Sequence, residues 1–322
     1  MKKIAILTSG GDAPGMNPAI CAIVKAARFH NIEAYLVYNG YKGLVEGQIV
    51  PASQVPLNHY LNQGGTCILS ARYPEFKEPA VREKAKQQLD RLGIDALVVI
   101  GGDGSYKGAQ LLDSIGVKTI ALPGTIDNDI ASTEFTIGFD TTFNTIVETL
   151  DRLRDTSRSH GRAMLVEVMG RYAGDLAVYS GVATGAELII TSENKMDIKE
   201  IIKVVDHQMN QLKKDSMLVI ITEHVYSNLE AMAKEIEQAT GVCTRSNVLA
   251  YLQRGGRPSA MERYLATQMG DLAVNLLVAG KSGLAIGINK NELTAIPILE
   301  ALALPKTSYL EKIKKFNEIN QK

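Results

Sequence analysis

The sequence has no excess of either charge, since Lys+Arg and Asp+Glu each number 35 and the formal net charge is zero. A nucleic-acid or polyanion binder shows a basic excess, so that class of partner is not favoured. Cysteine is scarce, and Cys21, Cys67 and Cys243 are too few for a disulfide framework. None lies in a Cys-x-x-Cys pair or at metal-ligand spacing from histidines, so simple thiols are predicted.

Long hydrophobic runs are also missing. No segment approaches the roughly 18 apolar residues that a membrane span needs. The N-terminus MKKIAIL starts like a signal peptide but meets polar residues and glycines at once, which indicates a strand and a turn. A cytoplasmic protein without a membrane partner is therefore predicted. With 322 residues and 45% hydrophobic content, the chain can form one large or two modest domains.

Short apolar runs alternate with longer helical stretches. The predicted strands are residues 4–8, 33–38, 96–100, 118–122, 163–168, 187–190, 217–222 and 248–252. The predicted helices are residues 16–30, 78–92, 105–114, 141–156, 198–212, 228–240 and 260–279. This alternation predicts an α/β fold of parallel sheets covered by helices on both faces. Ligands of such sheets bind beyond the carboxyl ends of the strands.

Glycines gather after the first predicted strand, in the segment TSGGDAPGMN at residues 8–17. Glycine lets the backbone approach a ligand closely, and the N-terminus of the following helix offers free N–H groups suited to phosphate. A tight turn that binds nothing is the alternative interpretation of this segment.

A second glycine turn follows residues 96–100 and reads GGDGS at residues 101–105. A carboxylate beside a phosphate is unfavourable unless a cation separates them, so Asp103 indicates Mg²⁺ bridging to phosphate oxygens. The alternative is that Asp103 only caps the next helix. Neither turn matches Walker A or Gly-x-Gly-x-x-Gly, which gives a nicotinamide dehydrogenase little support.

A pair of carboxylates ends the segment LPGTIDND at residues 122–129. Asp127 and Asp129 alternate around Asn128 and would share a face of an extended segment. One could act as general base toward a hydroxyl, and the other could help to hold the metal or orient the first. A polar turn stabilised by Asx hydrogen bonds is the alternative.

Taken together, TSGGDAPGMN, GGDGS and PGTIDND resemble the signature segments of bacterial phosphofructokinases. Further matching segments are SARYPEF (70–76), TIGFDT (136–141), EVMGR (167–171), GAE (185–187) and QRGGRP (253–258). The resemblance runs from the first residue to about Ala301, with strand and helix spacing in step. Each segment alone is moderately specific, whereas their order and spacing are highly so.

The resemblance implies two Rossmann-like parallel-sheet domains with helices on both faces. It implies a larger ATP-binding domain of residues 1–138 with 253–303, and a smaller sugar-phosphate-binding domain of residues 139–252 with 304–322. The implied activity is the ATP-dependent phosphorylation of fructose 6-phosphate at its 1-hydroxyl, which yields fructose 1,6-bisphosphate and ADP in glycolysis.

The resemblance also assigns the nucleotide and the chemistry. The implied ATP residues are Gly11, Arg72, Tyr73, Gly102, Asp103, Gly104 and Ser105, with Mg²⁺ on Asp103. The implied catalytic residues are Asp127 as general base, with Thr125, Arg72, Arg171 and the Gly11 N–H near the transferred phosphoryl group. Positive charge and donors there match the negative charge that develops in the transition state.

The implied fructose 6-phosphate residues are Thr125, Ile126, Asp127, Arg162, Met169, Gly170, Arg171, Glu223, Arg245, Tyr251, Leu252, Gln253 and Arg254. In the family, Arg162 and Arg245 reach in from a neighbouring subunit, so a homotetramer with active sites at its interfaces is implied. Tyr251 stands where the family usually has histidine, and His224 where glycine is usual. Weakening of one hydrogen bond at Tyr251 predicts a raised KM rather than lost chemistry, and His224 beside Glu223 could instead alter the sugar preference.

An effector site between subunits is implied by Cys21, Lys25, Arg154, Gly185, Ala186, Glu187, Lys213 and Lys214. The family binds ADP or phosphoenolpyruvate there. Cys21 and Gln211 stand where arginines are common, which predicts a weak response to these anions.

The phosphoryl donor is indicated by two glycines. Family members that use pyrophosphate typically carry Asp in place of Gly104 and Lys in place of Gly124, so glycine at both positions favours ATP. Two alternatives stay open: a non-catalytic or regulatory paralogue that binds nucleotide or sugar phosphate, and a kinase of the same fold with another donor or sugar. The paralogue would lack the base or the metal ligand, and both Asp127 and Asp103 are present.

Overall fold

The structure is a computed structural model that describes residues 1–322. The strands are β1 Lys3–Ser9, β2 Glu33–Val37, β3 Ile49–Pro51, β4 Ala96–Gly101, β5 Lys118–Pro123, β6 Ala163–Val168, β7 Leu188–Ile190, β8 Met217–Thr222, β9 Thr244–Val248, β10 Leu284–Asn289 and β11 Glu292–Pro297. The helices are α1 Met16–Phe29, α2 Gly40–Glu46, α3 Pro79–Leu92, α4 Asp103–Asp113, α5 Phe139–Ser159, α6 Asp175–Ala183, α7 Ile198–Asp206, α8 Leu229–Thr240, α9 Ala260–Val278, α10 Ile298–Ala303 and α11 Leu310–Gln321.

The chain divides into two compact units. The first unit contains Met1–Thr141 and Arg254–Lys306, and the second contains Thr142–Gln253 and Thr307–Lys322. The chain therefore passes from one unit to the other three times. The assignment of one unit to ATP and the other to sugar phosphate remains a proposal.

The first unit is built on a seven-stranded sheet in the order β11-β10-β5-β4-β1-β2-β3. The five inner strands run parallel, and β3 and β11 are antiparallel at the two edges. Every residue of β4 is buried, as expected for an apolar run covered by helices on both faces. Helix α9 packs along α1 so closely that a Cβ on Gly270 would lie 2.8 Å from the Cβ of Ala22.

The second unit is built on a four-stranded parallel sheet in the order β7-β8-β6-β9. Residues of α7 and α8, such as Ile201 and Ile236, share one apolar core with the inner strands. Helix α11 contacts β7, and Asn317 forms hydrogen bonds to both backbone groups of Ile189. The predicted α/β class with parallel sheets and covering helices is confirmed.

The structure corrects one predicted strand and adds a hairpin. The strand predicted at residues 248–252 is wrong, because β9 ends at Val248 and Ala250–Arg254 form a 3₁₀ helix. Ala250 has a positive φ of 44°, which turns the chain away from the sheet. The hairpin of β10 and β11 was not predicted, and its two turn residues, Lys290 and Asn291, both have positive φ.

The cysteines and the lengths of the helices were also matters of expectation from the sequence. All three cysteines are free thiols. None of the helices combines the length and apolarity that a membrane crossing requires.

Candidate active site

Three turns lie side by side at one edge of the first unit's sheet. In the parallel register Ser9 pairs with Gly101, and Gly101 pairs with Pro123. Strands β1, β4 and β5 therefore end together, and the two glycine turns and the segment beginning at Gly124 follow from neighbouring positions. The strand order reverses between β1 and β4, which is where open α/β sheets bind ligands.

The first turn is tied to the loop that carries Arg72 and Tyr73. Ser70 Oγ donates to the Gly10 carbonyl at 2.7 Å, and Thr8 Oγ1 donates to the Leu69 carbonyl at 2.8 Å. Arg72 is exposed, and Tyr73 packs partly buried against the apolar core. The sequence-predicted nucleotide residues Gly11, Arg72 and Tyr73 thus belong to one connected region of the first unit.

The second turn opens helix α4 at Asp103. Gly102 occupies the N-cap position, and its carbonyl accepts from the Ser105 N–H at 2.8 Å and from the Tyr106 N–H at 3.1 Å. Ser105 Oγ donates to the Ser9 carbonyl at 3.1 Å, which joins the second turn to the first. A Cβ on Gly104 would meet no atom within 4 Å, so this face of the turn is open to a ligand.

The third turn is organised by Asn128, which is buried and has a positive φ of 52°. Its amide donates to the Glu134 carbonyl at 3.0 Å, and its side-chain oxygen accepts from Thr136 N–H at 2.8 Å. The expectation that Asp127 and Asp129 share a face of an extended segment is therefore wrong, because the left-handed Asn128 breaks the alternation.

The rest of the third turn places the proposed base. Asp127 is half-buried, and its N–H donates to Thr125 Oγ1 at 3.2 Å. A Cβ on Gly102 would lie 3.9 Å from the Cβ of Thr125, so the second and third turns approach closely. Ile126 is 3% exposed, and its side chain is buried in the protein.

Asp103 and Asp129 converge on one cationic position. Lys306 Nζ lies 3.4 Å from Asp129 Oδ2 and 3.9 Å from Asp103 Oδ2. Two carboxylates directed at one positive charge fit the oxygen ligands that Mg²⁺ prefers. The resemblance implies Asp103 as the metal ligand, and the carboxylate pair of Asp127 and Asp129 offers a possible second one.

Arg254, predicted to hold sugar phosphate, lies against the first glycine turn. A Cβ on Gly11 would come within 3.6 Å of the Arg254 guanidinium carbon. Arg254 Nη1 is also 4.0 Å from Asp12 Oδ1. A positive charge beside a half-buried glycine turn suits an anionic ligand.

In the second unit, Met169–Arg171 and Glu223 lie together. Val168 pairs with Thr222 at the ends of β6 and β8, and the Glu223 N–H donates to the Val168 carbonyl at 2.8 Å. Glu223 Oε1 accepts from the Arg171 N–H at 2.7 Å. Gly170 has a φ of 136°, a conformation open to glycine, and a Cβ there would lie 2.7 Å from a backbone oxygen.

Gln253 supports this loop from within the second unit. It is fully buried, its side-chain oxygen accepts from the Met169 N–H at 3.0 Å, and its amide donates to the Ala250 carbonyl at 3.0 Å. The neighbouring Tyr251 and Leu252 are exposed. Gln253 thus positions backbone, whereas Tyr251 and Leu252 present side chains to solvent.

The carboxylates near this loop lie beside an open pocket of about 820 Å³ that is lined in part by Glu167 and His224. Burial, followed by the nearby Glu223 carboxylate, raises the pKa of Glu167. His224 has a φ of 68°, and its Nε2 is 3.9 Å from Glu223 Oε2. The Tyr172 and His224 ring centres are 6.3 Å apart. The histidine that replaces the usual glycine is therefore a direct neighbour of Glu223.

Two predicted sugar-phosphate arginines lie at the other end of the same sheet. Arg162 immediately precedes β6, and Arg245 follows the first residue of β9, paired with Met164. The length of β6 separates them from Met169–Arg171, which for six residues at ~3.3 Å each is roughly 20 Å. Arg245 Nη1 donates to Glu237 Oε2 at 2.7 Å. Within one chain these two arginines are thus not part of the Glu223 cluster.

Part of the predicted effector set forms a compact cluster in the second unit. Arg154 donates to the Gly185 carbonyl at 3.2 Å and to Glu187 Oε1 at 3.3 Å. Lys214 Nζ is 3.8 Å from the same carboxylate oxygen, and Glu187 Oε2 accepts from the Leu218 N–H at 2.9 Å. The Glu187 carboxylate is consequently held by the protein itself. Ala186 is buried beside it, and Lys213 is exposed.

The other predicted effector residues lie on α1 of the first unit. Cys21 is 2% exposed, and its Sγ donates to the Leu57 carbonyl at 3.2 Å. Burial raises the pKa of this thiol, which remains neutral and faces the core. Lys25, one turn later, is exposed.

Comparison with known proteins gives a consistent result. A family model described as phosphofructokinase matches residues 3–277. The ATP-dependent 6-phosphofructokinase of Mycoplasmopsis pulmonis (strain UAB CTIP) is 54% identical over 324 residues, covering 100% of this chain and 99% of that protein. The ATP-dependent 6-phosphofructokinase of Mycoplasma mobile is 56% identical over 322 residues, covering 99% of both chains.

Among solved structures, phosphofructokinase from Saccharomyces cerevisiae is similar, with a TM-score of 0.85 and 31% sequence identity. The match covers 100% of this chain and 47% of the yeast chain, so this chain spans about half the length of the yeast protein.

Proposed function

This chain belongs to the phosphofructokinase family, and on that premise we propose that it transfers the γ-phosphate of ATP to the 1-hydroxyl of fructose 6-phosphate. The observation that carries the proposal is the common edge of β1, β4 and β5, where two glycine turns and Thr125–Asp127 lie side by side. The products are fructose 1,6-bisphosphate and ADP, which makes the protein a glycolytic kinase.

Gly104 and Gly124 support ATP as the phosphoryl donor. The open space around Gly104 leaves room for a nucleotide phosphate, where an aspartate would repel it. A Cβ on Gly124 would lie 2.8 Å from Ile100 Cγ2, so this backbone has no space for a longer side chain. Gly11, Arg72, Tyr73 and Gly102–Ser105 are the proposed ATP residues.

Asp127 is the proposed general base. It takes the proton of the 1-hydroxyl as that oxygen attacks, while Thr125, Arg72, Arg171 and the Gly11 N–H stabilise the transferred group. Asp103, with Asp129, would hold Mg²⁺, which neutralises charge on the donor phosphates. The half-burial of Asp127 and its Thr125 contact restrict its motion, as positioning for proton transfer requires.

We assign the sugar phosphate to the residues that the resemblance implies, among which Glu223 and Met169–Arg171 form one cluster. Because Arg162 and Arg245 lie at the far end of their sheet, we infer that they serve the site of a neighbouring subunit. A homotetramer, with active and effector sites at its interfaces, follows as a proposal. The cytoplasmic location expected from the sequence likewise stays a prediction.

The experiment is a coupled assay that offers ATP or pyrophosphate against fructose 6-phosphate and tagatose 6-phosphate. Asp127→Ser should lower kcat by roughly 10²–10⁴ while ATP binding stays nearly intact, because only proton transfer is lost. Asp90→Ser, on the exposed face of α3, is the matched control and should keep full activity. Retention of more than a tenth of the wild-type kcat by Asp127→Ser, or a preference for pyrophosphate, would contradict the proposal.

A further inference from the structure

Lys306 lies in the segment between α10 and α11, far from the glycine turns in sequence. Its ammonium nevertheless lies 3.4 Å from Asp129 Oδ2 and 3.9 Å from Asp103 Oδ2. These are the two carboxylates that fit a divalent cation. The sequence offered no sign of this contact, because 203 residues separate Asp103 from Lys306.

The two carboxylates need a counter-charge. The Asp129 side chain is 11% exposed, and a carboxylate that is so far removed from water is unfavourable unless it is paired. Asp103 brings a second negative charge to the same point, which adds repulsion. The Lys306 ammonium offsets both the burial cost of the Asp129 charge and the repulsion between the two carboxylates. Its side chain is 56% exposed, so it can move away without disrupting a core.

A divalent cation would offset the same burial cost and the same repulsion between the carboxylates. It would take the place of the ammonium, because two cations held by one carboxylate pair repel each other. Lysine suits such an exchange, since its four-carbon stem is flexible and its ammonium is stable in water.

We propose that Lys306 is a built-in counter-ion of Asp103 and Asp129, which stabilises the metal-free protein and competes with the divalent cation for the pair. Lys306 is thus a positioning residue that sets how much divalent metal the site needs. The inference rests on the proposed function only for the view that these carboxylates serve a phosphoryl-transfer metal.

The test measures metal binding without nucleotide or sugar. Mn²⁺, which is paramagnetic, is titrated into the full-length protein, and free Mn²⁺ is followed by electron paramagnetic resonance. Lys306→Met keeps the apolar stem and removes the charge, so Mn²⁺ should bind about two- to fivefold more tightly, as expected for loss of a weak, exposed ion pair. In EDTA the same variant should melt about 2–4 °C below wild type.

Three variants control for general charge and for the pair itself. Lys281→Met removes one exposed charge from the same unit and should leave Mn²⁺ affinity unchanged. Lys306→Arg keeps the cation and should restore wild-type affinity. In an Asp129→Asn background, Lys306→Met should have little further effect, since the main partner of the ammonium is gone.

Equal Mn²⁺ affinity of Lys306→Met and wild type would overturn the inference. If that variant also binds MgATP more weakly, Lys306 is a phosphate ligand and not a counter-ion of the carboxylates. Failure of the kinase proposal is a separate outcome, seen as absent turnover in the coupled assay, whereas the Mn²⁺ titration requires no turnover.

Discussion

Glu262 is a buried carboxylate whose titration should be visible in the stability of the protein. It lies in the first turn of α9 and is 1% exposed. Its Oε1 accepts from the Gly138 N–H at 2.8 Å, and its Oε2 accepts from the Thr141 N–H and hydroxyl, each at 3.1 Å. Burial outweighs these three hydrogen bonds, and with the nearby Asp140 carboxylate it raises the pKa of Glu262 from 4.5 to about 7.

The raised pKa of Glu262 determines whether the stability of the protein rises or falls with pH. Since the pKa is higher in the folded protein, the folded state binds this proton more tightly than the unfolded chain does. The stability gained is complete below pH 4.5 and is lost as the pH rises through 7. At about 1.4 kcal/mol per pKa unit the full effect is about 3 kcal/mol, most of which is lost between pH 5 and pH 8.

Glu262→Gln removes the titration, and urea unfolding followed by circular dichroism measures the outcome. The free energy of unfolding of wild type minus that of the variant should fall by about 2–3 kcal/mol from pH 5 to pH 8. The constant cost of placing an amide NH₂ near the Thr141 N–H cancels in this comparison across pH. Glu300→Gln, at an exposed position of α10, should give a flat difference. Parallel pH profiles for wild type and Glu262→Gln would refute the reasoning.

Two further predictions concern assembly and regulation. Mixing Asp127→Ser with Arg245→Ala subunits should restore part of the activity, because some hybrid sites would combine two intact halves; a fully active monomer by sedimentation would exclude this. Phosphoenolpyruvate or ADP at millimolar concentration should move the fructose 6-phosphate midpoint by less than tenfold, since the Cys21 thiol is buried and neutral and Gln211 carries no charge. Saturation curves with and without each effector measure this shift, and a larger one would mean that the remaining cations suffice.

The inner strands could be predicted from the sequence because their signal is local. The prediction of residues 96–100 differs from β4 by one residue, since a continuous apolar run is what a strand buried on both faces requires. The two glycine turns could be placed at one edge of the sheet because each follows a predicted strand and parallel strands end on the same side.

The remaining features depend on residues that are distant in the sequence. Strand β9 has the sequence TRSNV and is partly exposed, so it lacks an apolar signal, and its pairing with β6 defines it. The pairing of Lys306 with Asp103 and the burial of Glu262 arise only when separate segments meet. The left-handed conformation of Asn128 is stabilised by its side-chain hydrogen bonds to Glu134 and Thr136. The alternation of residues 127–129 in the sequence gives no information about these bonds.

The packing of α9 on α1 has a consequence for how the protein is made. Eleven of the 14 residues of α1 are buried, and α9 covers this helix. On the ribosome α9 emerges some 230 residues after α1, which at ~5–20 residues per second is roughly 10–50 s later. During that interval α1 exposes apolar surface while residues 142–253, the larger part of the second unit, are made. The amino-terminal segment is therefore where a chaperone would be needed during synthesis.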